Sequence, residues 1–300
     1  MKAFLAQCKG ARIPVKTDLP LCDYSTFRIG GKTDIALFPT TVEQLSLQLS
    51  MLAQSGLKYK VVGNGSNVLF SDAGFRGVIV FTTEMKQYRF DGDTLYAQSG
   101  AGLGRVCTEA CRQGFEGFAF GCGIPGTVGG GVYMNAGAYG GQIADVLISS
   151  EVFDTARNRV LTMDADAHEF GYRHSVFASH PEYIILSSTF ALRKGNADEI
   201  MQKVKEQAAS RREKQPLNYP SAGSTFKRPE GYFAGKLIED AGLKGTRVGG
   251  AAVSEKHAGF VVNDGGATAA DVLTLVALIK ERVYAQFGVR LECEFEYIGE

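Results

Sequence analysis

Thirty-seven of the 300 residues are glycine, about 12% against an average near 7%, and they gather in the stretches 63–77, 100–141 and 242–266. Each stretch also carries Val, Leu and Phe, which a flexible linker does not. Glycine among large apolar residues means tight turns and close backbone approach inside a packed core. The chain therefore has to fold around its glycine loops. The densest of them, 121–141, holds nine glycines and shows neither a helical nor a strand period. Its backbone must be fixed by tertiary contacts or by a ligand, which makes it the strongest candidate for a functional loop.

The rest of the composition bounds what such loops could serve. With 45% hydrophobic and 21% charged residues the chain can build a globular core, and at roughly 150 residues per domain it predicts two domains. Lys+Arg and Asp+Glu both number 32, so the bulk charge favours neither nucleic acid nor an acidic membrane. A small ligand in a local pocket is the expected target. The opening MKAFLAQCKGARIPVK lacks the apolar stretch of about 7–15 residues of a secretory signal, and no uncharged apolar run of about 18 residues could span a bilayer. A cytoplasmic protein is expected. Six cysteines without paired CxxC spacing predict reduced, mostly buried thiols and no metal site; Cys107 and Cys111 read as packing residues on a helix.

Along the chain, Thr41 with Gln44 forms a capping box before Val42, Leu45, Leu49 and Leu52, and Gly56 follows, predicting an amphipathic helix. Residues 59–63 and 77–81 read as buried strands, and 89–100 as a hairpin turning at Asp91-Gly92. Helices are predicted over 103–113, 197–214, 232–241 and 268–286, the last with Asp271 completing a capping box and Gly288 stopping it. Strands are predicted at 151–154, 184–193, 259–263 and through LECEFEYIG (291–299). Gln215-Pro216 marks the boundary, giving domains 1–214, subdivided near 83, and 215–300.

Two loops could hold phosphate. GNGSNVL (63–69) follows a strand and would leave several backbone N–H groups free to wrap a pyrophosphate, with Ser66 and Asn67 adding donors. GAGLG (100–104) lacks the GxGxxG spacing and reads as a turn. A second cradle in 121–140, with Pro125, Asn135 and Tyr139 among its glycines, would suit a two-phosphate cofactor with a flat ring.

GNGSNVL, IPGTVGG with its NAGAYG tail, YRHSVF (172–177), SAGSTFKRP (221–229) and LECEFEYIG stand in the order and approximate spacing of the UDP-N-acetylenolpyruvoylglucosamine reductases, which the chain resembles from about Asp23 onward. The resemblance implies an α+β fold: an FAD-binding domain of the vanillyl-alcohol-oxidase type, made of two α+β subdomains, followed by a smaller α+β substrate-binding domain. It implies non-covalent FAD held by Gly63, Asn64, Gly65, Ser66, Asn67, Val68 and Leu69, and by Gly121, Ile124, Pro125, Gly126, Thr127, Gly129, Gly130, Asn135, Gly137, Ala138, Tyr139 and Gly140. Neither loop contains a histidine to tether a flavin, and His168, His174 and His180 are expected at the surface. NADPH is the implied hydride donor, a UDP-sugar the implied substrate, and a monomer the implied state.

Reducing an enol-pyruvyl ether needs a hydride on the CH2 carbon, a proton on the carbon bearing the carboxylate, and stabilisation of the enolate between. The resemblance assigns the proton to Ser224, polarisation of the carboxylate to Arg173, and support at the same carboxylate to Glu294. A strand period would put Glu292, Glu294 and Glu296 on one face. Lys227 and Arg228 offer charge to a diphosphate, with Tyr172 and His257 beside the substrate; Arg228 stands where the family often has Asn. Only 178–185 separate YRHSVF from the next strand core, so the tyrosine lid of the longer branch is expected to be missing. An oxidase of the same flavin fold, acting on an alcohol or sugar, and a catalytically silent flavin- or nucleotide-binding module remain the alternatives.

Overall fold

The computed structural model describes residues 1–299. By contact the chain groups into two units, 1–17 with 35–64 and 77–209, and 18–34 with 65–76 and 210–300. Two short N-terminal segments thus belong to the second unit, which a division made along the chain does not express.

The first unit has two cores. Helix α1 (Lys2–Gly10) buries Phe4 and Cys8, and α2 (Val42–Ser55) buries Leu45, Leu49 and Leu52, against Ile35, Leu37, Val78 and Val80. The spacing of the leucines gives α2 one apolar face. Its Thr41 hydroxyl accepts from the Gln44 N–H, while the Gln44 side-chain Oε1 accepts from Thr40 N rather than from Thr41 N. Gly56 ends the helix at φ 66°, where a side chain would be strained. The second core lies between α3 (Leu103–Arg112), α4 (Val128–Tyr133) and a five-stranded antiparallel sheet in the order Arg159–Asp164, Leu147–Asp154, Tyr183–Ala191, Thr94–Gln98, Tyr88–Asp91. α5 (Ala197–Lys214) has the predicted bounds.

Three expectations change here. The 121–141 loop contains the six-residue helix α4, hidden because its Val-Gly-Gly-Gly start has poor helix propensity and no amphipathic repeat. Strand Arg159–Asp164 was not predicted, since only one of its residues is buried and its exposed edge shows no clean alternation. His168 is fully buried, not at the surface. Its ring nitrogens lie 2.9 Å from the Asp164 carbonyl oxygen and 2.9 Å from Ser150 Oγ, and it stacks on Phe170. Burial holds it below the usual histidine range, so it is neutral.

In the second unit α6 (Ala234–Asp240) and α7 (Ala269–Phe287) pack around Phe27, Ile29, Leu69, Val272, Leu275, Ile279 and Val283. α7 carries the full predicted capping box, Thr268 with Asp271, and ends at Gly288, φ 68°. A second carboxylate adds to its start: Asp72 accepts from Ala269 N at 2.7 Å and Ala270 N at 3.0 Å. The C-terminal segment is regular only over Glu296–Ile298, which pairs in parallel with Val68–Phe70. Residues 291–295 are held instead by an isolated bridge, Cys293 to Phe226, so the expected single face of three glutamates does not form. Glu292 is solvent-exposed. Among the described residues, no helix is long and apolar enough to cross a membrane.

Candidate active site

In the first unit the two glycine loops meet where Gly63 ends its strand. A Cβ at Gly63 would lie 2.4 Å from Thr127 Oγ1, and one at Gly129 would lie 2.7 Å from Ser99 Cβ. Both positions need glycine because another chain segment fills the space a side chain would take. Thr127 also caps α4 through Gly130 N, and Leu103 N donates to Gly126 O. Ser99 and Thr127 therefore set the shape of the cradle, and Ser99 lies outside the sequence motifs; only the close approach to Gly129 identifies it.

The two loops differ in what they offer a ligand. Among the described residues, the backbone N–H groups of Asn64 and Gly65 donate no hydrogen bond. A backbone N–H without a partner is costly unless water or a ligand takes it, so GNGS fits an anionic group such as a pyrophosphate. The first-turn amides of α4 are already engaged: Val128 N with Ala101 O, Gly129 N with Ser99 O, Gly130 N with Thr127 Oγ1, and Gly131 N with Thr127 O. Gly129 and Gly130 thus fix the loop's form rather than present free donors. Gly121 packs on Cys107, Ile124 is half-buried and Pro125 exposed.

The NAGAYG tail is a hairpin. Gly137–Ala138 pairs with Gly141–Gln142, and Tyr139 and Gly140 at the turn have φ 53° and 84°, as a two-residue primed turn requires. Tyr139 is half exposed and its hydroxyl donates to Gln207 O at 3.1 Å. Asn135, buried at φ 45°, spends its amide on Gln142 Oε1, Gly171 O and Ala144 N. Its side chain orders the hairpin and the turn 171–174. At that turn Arg173 stands at φ 53° with Nη2 donating to Gly137 O at 3.1 Å, its guanidinium 5.2 Å from the centre of the exposed Tyr172 ring. Three non-glycine residues at positive φ within one cluster are strained, and such strain persists where the surroundings fix it and gathers at functional sites.

In the second unit three motif segments join. Gly65 (φ 60°) lies so close to Tyr24 O that a Cβ would be 2.2 Å from it. Thr26 links this turn to the serine segment, since Thr26 N donates to Gly65 O and Thr26 Oγ1 to Ser221 O. Asn67 Nδ2 donates to Glu294 O at 3.0 Å, Glu294 N donates to Thr225 O at 2.9 Å, and Glu296 N donates to Asn67 O at 3.0 Å. Buried Thr225 accepts from Val261 N through Oγ1 and leaves its neighbour Ser224 exposed. Thr26 and Thr225 are positioning residues that the sequence motifs do not single out. Val68 and Leu69 form the strand paired with Glu296–Ile298, and the Leu69 side chain faces the core, leaving only its backbone for a ligand.

Lys227 N donates to Glu292 O and Lys227 Nζ lies 3.6 Å from the Glu292 carboxylate, which keeps the ammonium half-exposed. Arg228 lies over the exposed Phe233 ring, 4.5 Å from its centre. His257 Nδ1 accepts from Gly259 N at 3.1 Å, and burial pushes the ring below the usual histidine range. The neutral ring then carries its hydrogen on Nε2, ready to donate.

Residues 33–164 match the model of an FAD binding domain, and 215–298 that of the UDP-N-acetylenolpyruvoylglucosamine reductase C-terminal domain. The reductase of that name from Clostridium botulinum is 45% identical over 286 residues, covering 95% of this chain and 93% of the relative. Its counterpart from Caldicellulosiruptor bescii is 48% identical over 294 residues, covering 97% and 93%. The crystal structure of the reductase from Thermus caldophilus superposes with a TM-score of 0.80 at 35% identity, covering 95% of this chain and 98% of that one. The α+β fold is that of an FAD-binding part followed by the C-terminal part of the reductases. Similarity over nearly the whole length, carried by the loops and segments just described, establishes that the chain belongs to the UDP-N-acetylenolpyruvoylglucosamine reductase family.

Proposed function

We propose that this chain is an NADPH-dependent flavoenzyme that reduces UDP-N-acetylglucosamine enolpyruvate to UDP-N-acetylmuramate for peptidoglycan synthesis, acting in the cytoplasm as a monomer. Residues 1–214 would form the FAD-binding domain and 215–300 the substrate-binding domain. The observation that carries the reading, in a chain of this family, is the junction in the second unit: Asn67 from the GNGSN loop, Thr225 beside Ser224, and Glu294 share consecutive hydrogen bonds.

The free amides of Asn64 and Gly65 would hold FAD at its pyrophosphate, and the flavin when bound would supply the hydride, with NADPH as the source of reducing equivalents. The chain's own residues supply the rest. The exposed Ser224 hydroxyl gives its proton to the carbon bearing the carboxylate. Arg173 takes the carboxylate and neutralises charge as the enolate forms, and the strained turn at 171–174 fixes its backbone for that task. Glu294, anchored through both its N–H and its carbonyl, supports the same carboxylate. Lys227, Arg228, His257 Nε2–H and Tyr172 hold the nucleotide sugar.

The test is a half-reaction experiment. The purified protein should be yellow, should bleach with NADPH under anaerobic conditions, and should recover its colour on addition of UDP-N-acetylglucosamine enolpyruvate. Recovery with O2 alone would make it an oxidase of the same fold, and a colourless protein that cannot be reconstituted with FAD would overturn the reading.

A further inference from the structure

Three cysteines of the first unit converge beside the loop that leads to Gly126. Cys107 and Cys111 lie one turn apart on the buried face of α3, and Cys122 follows the 3-10 turn Ala119–Gly121. Cys111 Sγ and Cys122 Sγ are 3.7 Å apart. Cys107 is packed under Gly121, where a Cβ would meet its sulfur at 2.3 Å. The two members of the close pair differ in access: Cys111 is fully buried, whereas Cys122 is partly exposed. They differ in acidity as well. The Cys111 hydrogen bond lowers the Cys122 thiol against the opposing effect of burial, with Arg112 adding to the lowering. The same bond, together with burial, raises Cys111. Cys22, by contrast, is pushed up by burial and by the carboxylate of Asp23. A partly exposed, thiolate-prone cysteine beside a buried thiol is the arrangement of a peroxide-reactive pair.

We propose that Cys122 is a site of oxidation by hydroperoxides and that Cys111 resolves it, closing an intramolecular disulfide across the base of the Gly121–Thr127 loop. The Cys122 thiolate attacks the terminal peroxide oxygen, the O–O bond breaks, and the alkoxide leaves as the alcohol with the proton from Cys122, giving a sulfenic acid. Cys111 sulfur then attacks the sulfenic sulfur. The S–O bond breaks and the hydroxyl leaves as water with the Cys111 proton, so two thiols and one hydroperoxide give a disulfide, an alcohol and water. With a disulfide length of about 2.05 Å, the sulfurs must close by about 1.7 Å from their 3.7 Å separation. Cys111 is set in the helix core, so Cys122 moves. Its carbonyl oxygen sits 3.0 Å from the Cβ position of Gly104, and two residues on from Ile124 the same loop accepts Leu103 N at Gly126 O. The bond therefore shifts the segment Ile124–Gly126, which the family resemblance assigns to FAD.

The experiment treats the holoprotein with one equivalent of hydrogen peroxide, blocks remaining thiols by alkylation, and maps the peptides by mass spectrometry. A linkage between the peptides of Cys111 and Cys122, lost on reduction with dithiothreitol and formed about tenfold faster than oxidation of Cys22, is the expected result. In Cys111→Ser the reaction should stop at a sulfenic acid on Cys122 that dimedone traps. No linkage in the wild-type protein, a linkage through Cys107, or oxidation of Cys122 no faster than Cys22 would overturn the proposal. The wild-type map decides the matter even if the variant folds poorly, and it does so whether or not the enolpyruvyl sugar is the substrate.

Discussion

Ser224 is exposed while its neighbour Thr225 is buried and holds the Val261–Asn263 strand and the C-terminal segment through Val261 N and Glu294 N. The serine can therefore be changed without touching the frame that carries it. Ser224→Ala is expected to lower turnover of the enolpyruvyl substrate by about 10²–10⁴-fold while anaerobic bleaching by NADPH keeps its rate; stopped-flow comparison of the two half-reactions checks this, and unchanged turnover would remove Ser224 from the proton transfer. At His168 the physics concerns stability. Its folded-state pKa lies below the ordinary value near 6.5 because the ring is buried. As the pH falls through about 6.5 the unfolded chain takes up the proton first, so the stability present above that pH is progressively lost below it. Urea unfolding at pH 7.5 and pH 5 should show a larger acid loss for the wild type than for His168→Gln, and equal losses would acquit the ring.

At the scale of elements, two glycines next to α2 and its following strand have different tasks. Gly56 ends α2 at φ 66° with nothing near its Cβ position, so Gly56→Ala should cost about 1 kcal/mol of stability and leave flavin content unchanged. Gly63 faces Thr127 Oγ1 at 2.4 Å from the Cβ position. Gly63→Ala must push the two glycine loops apart, and the purified variant should carry much less flavin, read as the visible to 280 nm absorbance ratio. Loss of flavin in both variants would mean that the strand end, rather than the loop junction, governs the cofactor.

At the scale of the molecule, the second unit is not supplied by the C-terminal part of the chain alone. Phe27, Ile29 and Leu69 stand in its core, and Asp72 caps α7 from a position 197 residues before Ala269. A fragment of residues 215–300 lacks all four and should show no cooperative unfolding or near-ultraviolet dichroism. In the full chain, Asp72→Ala should cost about 1–2 kcal/mol, measured as a shift of the denaturation midpoint. A fragment with a fixed fold would show that α7 and its sheet suffice by themselves.

The sequence by itself determined what rests on neighbouring residues and on the family's motifs. The caps of α2 and α7 and the bounds of α5 are legible because a hydroxyl, a carboxylate or a glycine within four residues decides them. The GNGSN loop is legible from its own glycines and polar residues, whereas SAGSTFKRP and LECEFEYIG are legible as candidates only through the family resemblance. Tertiary structure alone decided how they are used. Asn67 binds Glu294 across 227 residues and Thr225 binds it from a separate loop, α4 forms in a glycine run that local propensity disfavours, and 291–295 leave strand geometry to meet Phe226. His168 is buried because the sheet strands and the turn around it close over a ring that no local pattern marks. Local rules sense the few residues within a turn of helix or a hairpin; burial and long-range hydrogen bonds depend on which distant segment arrives, and that is settled only when the whole core packs.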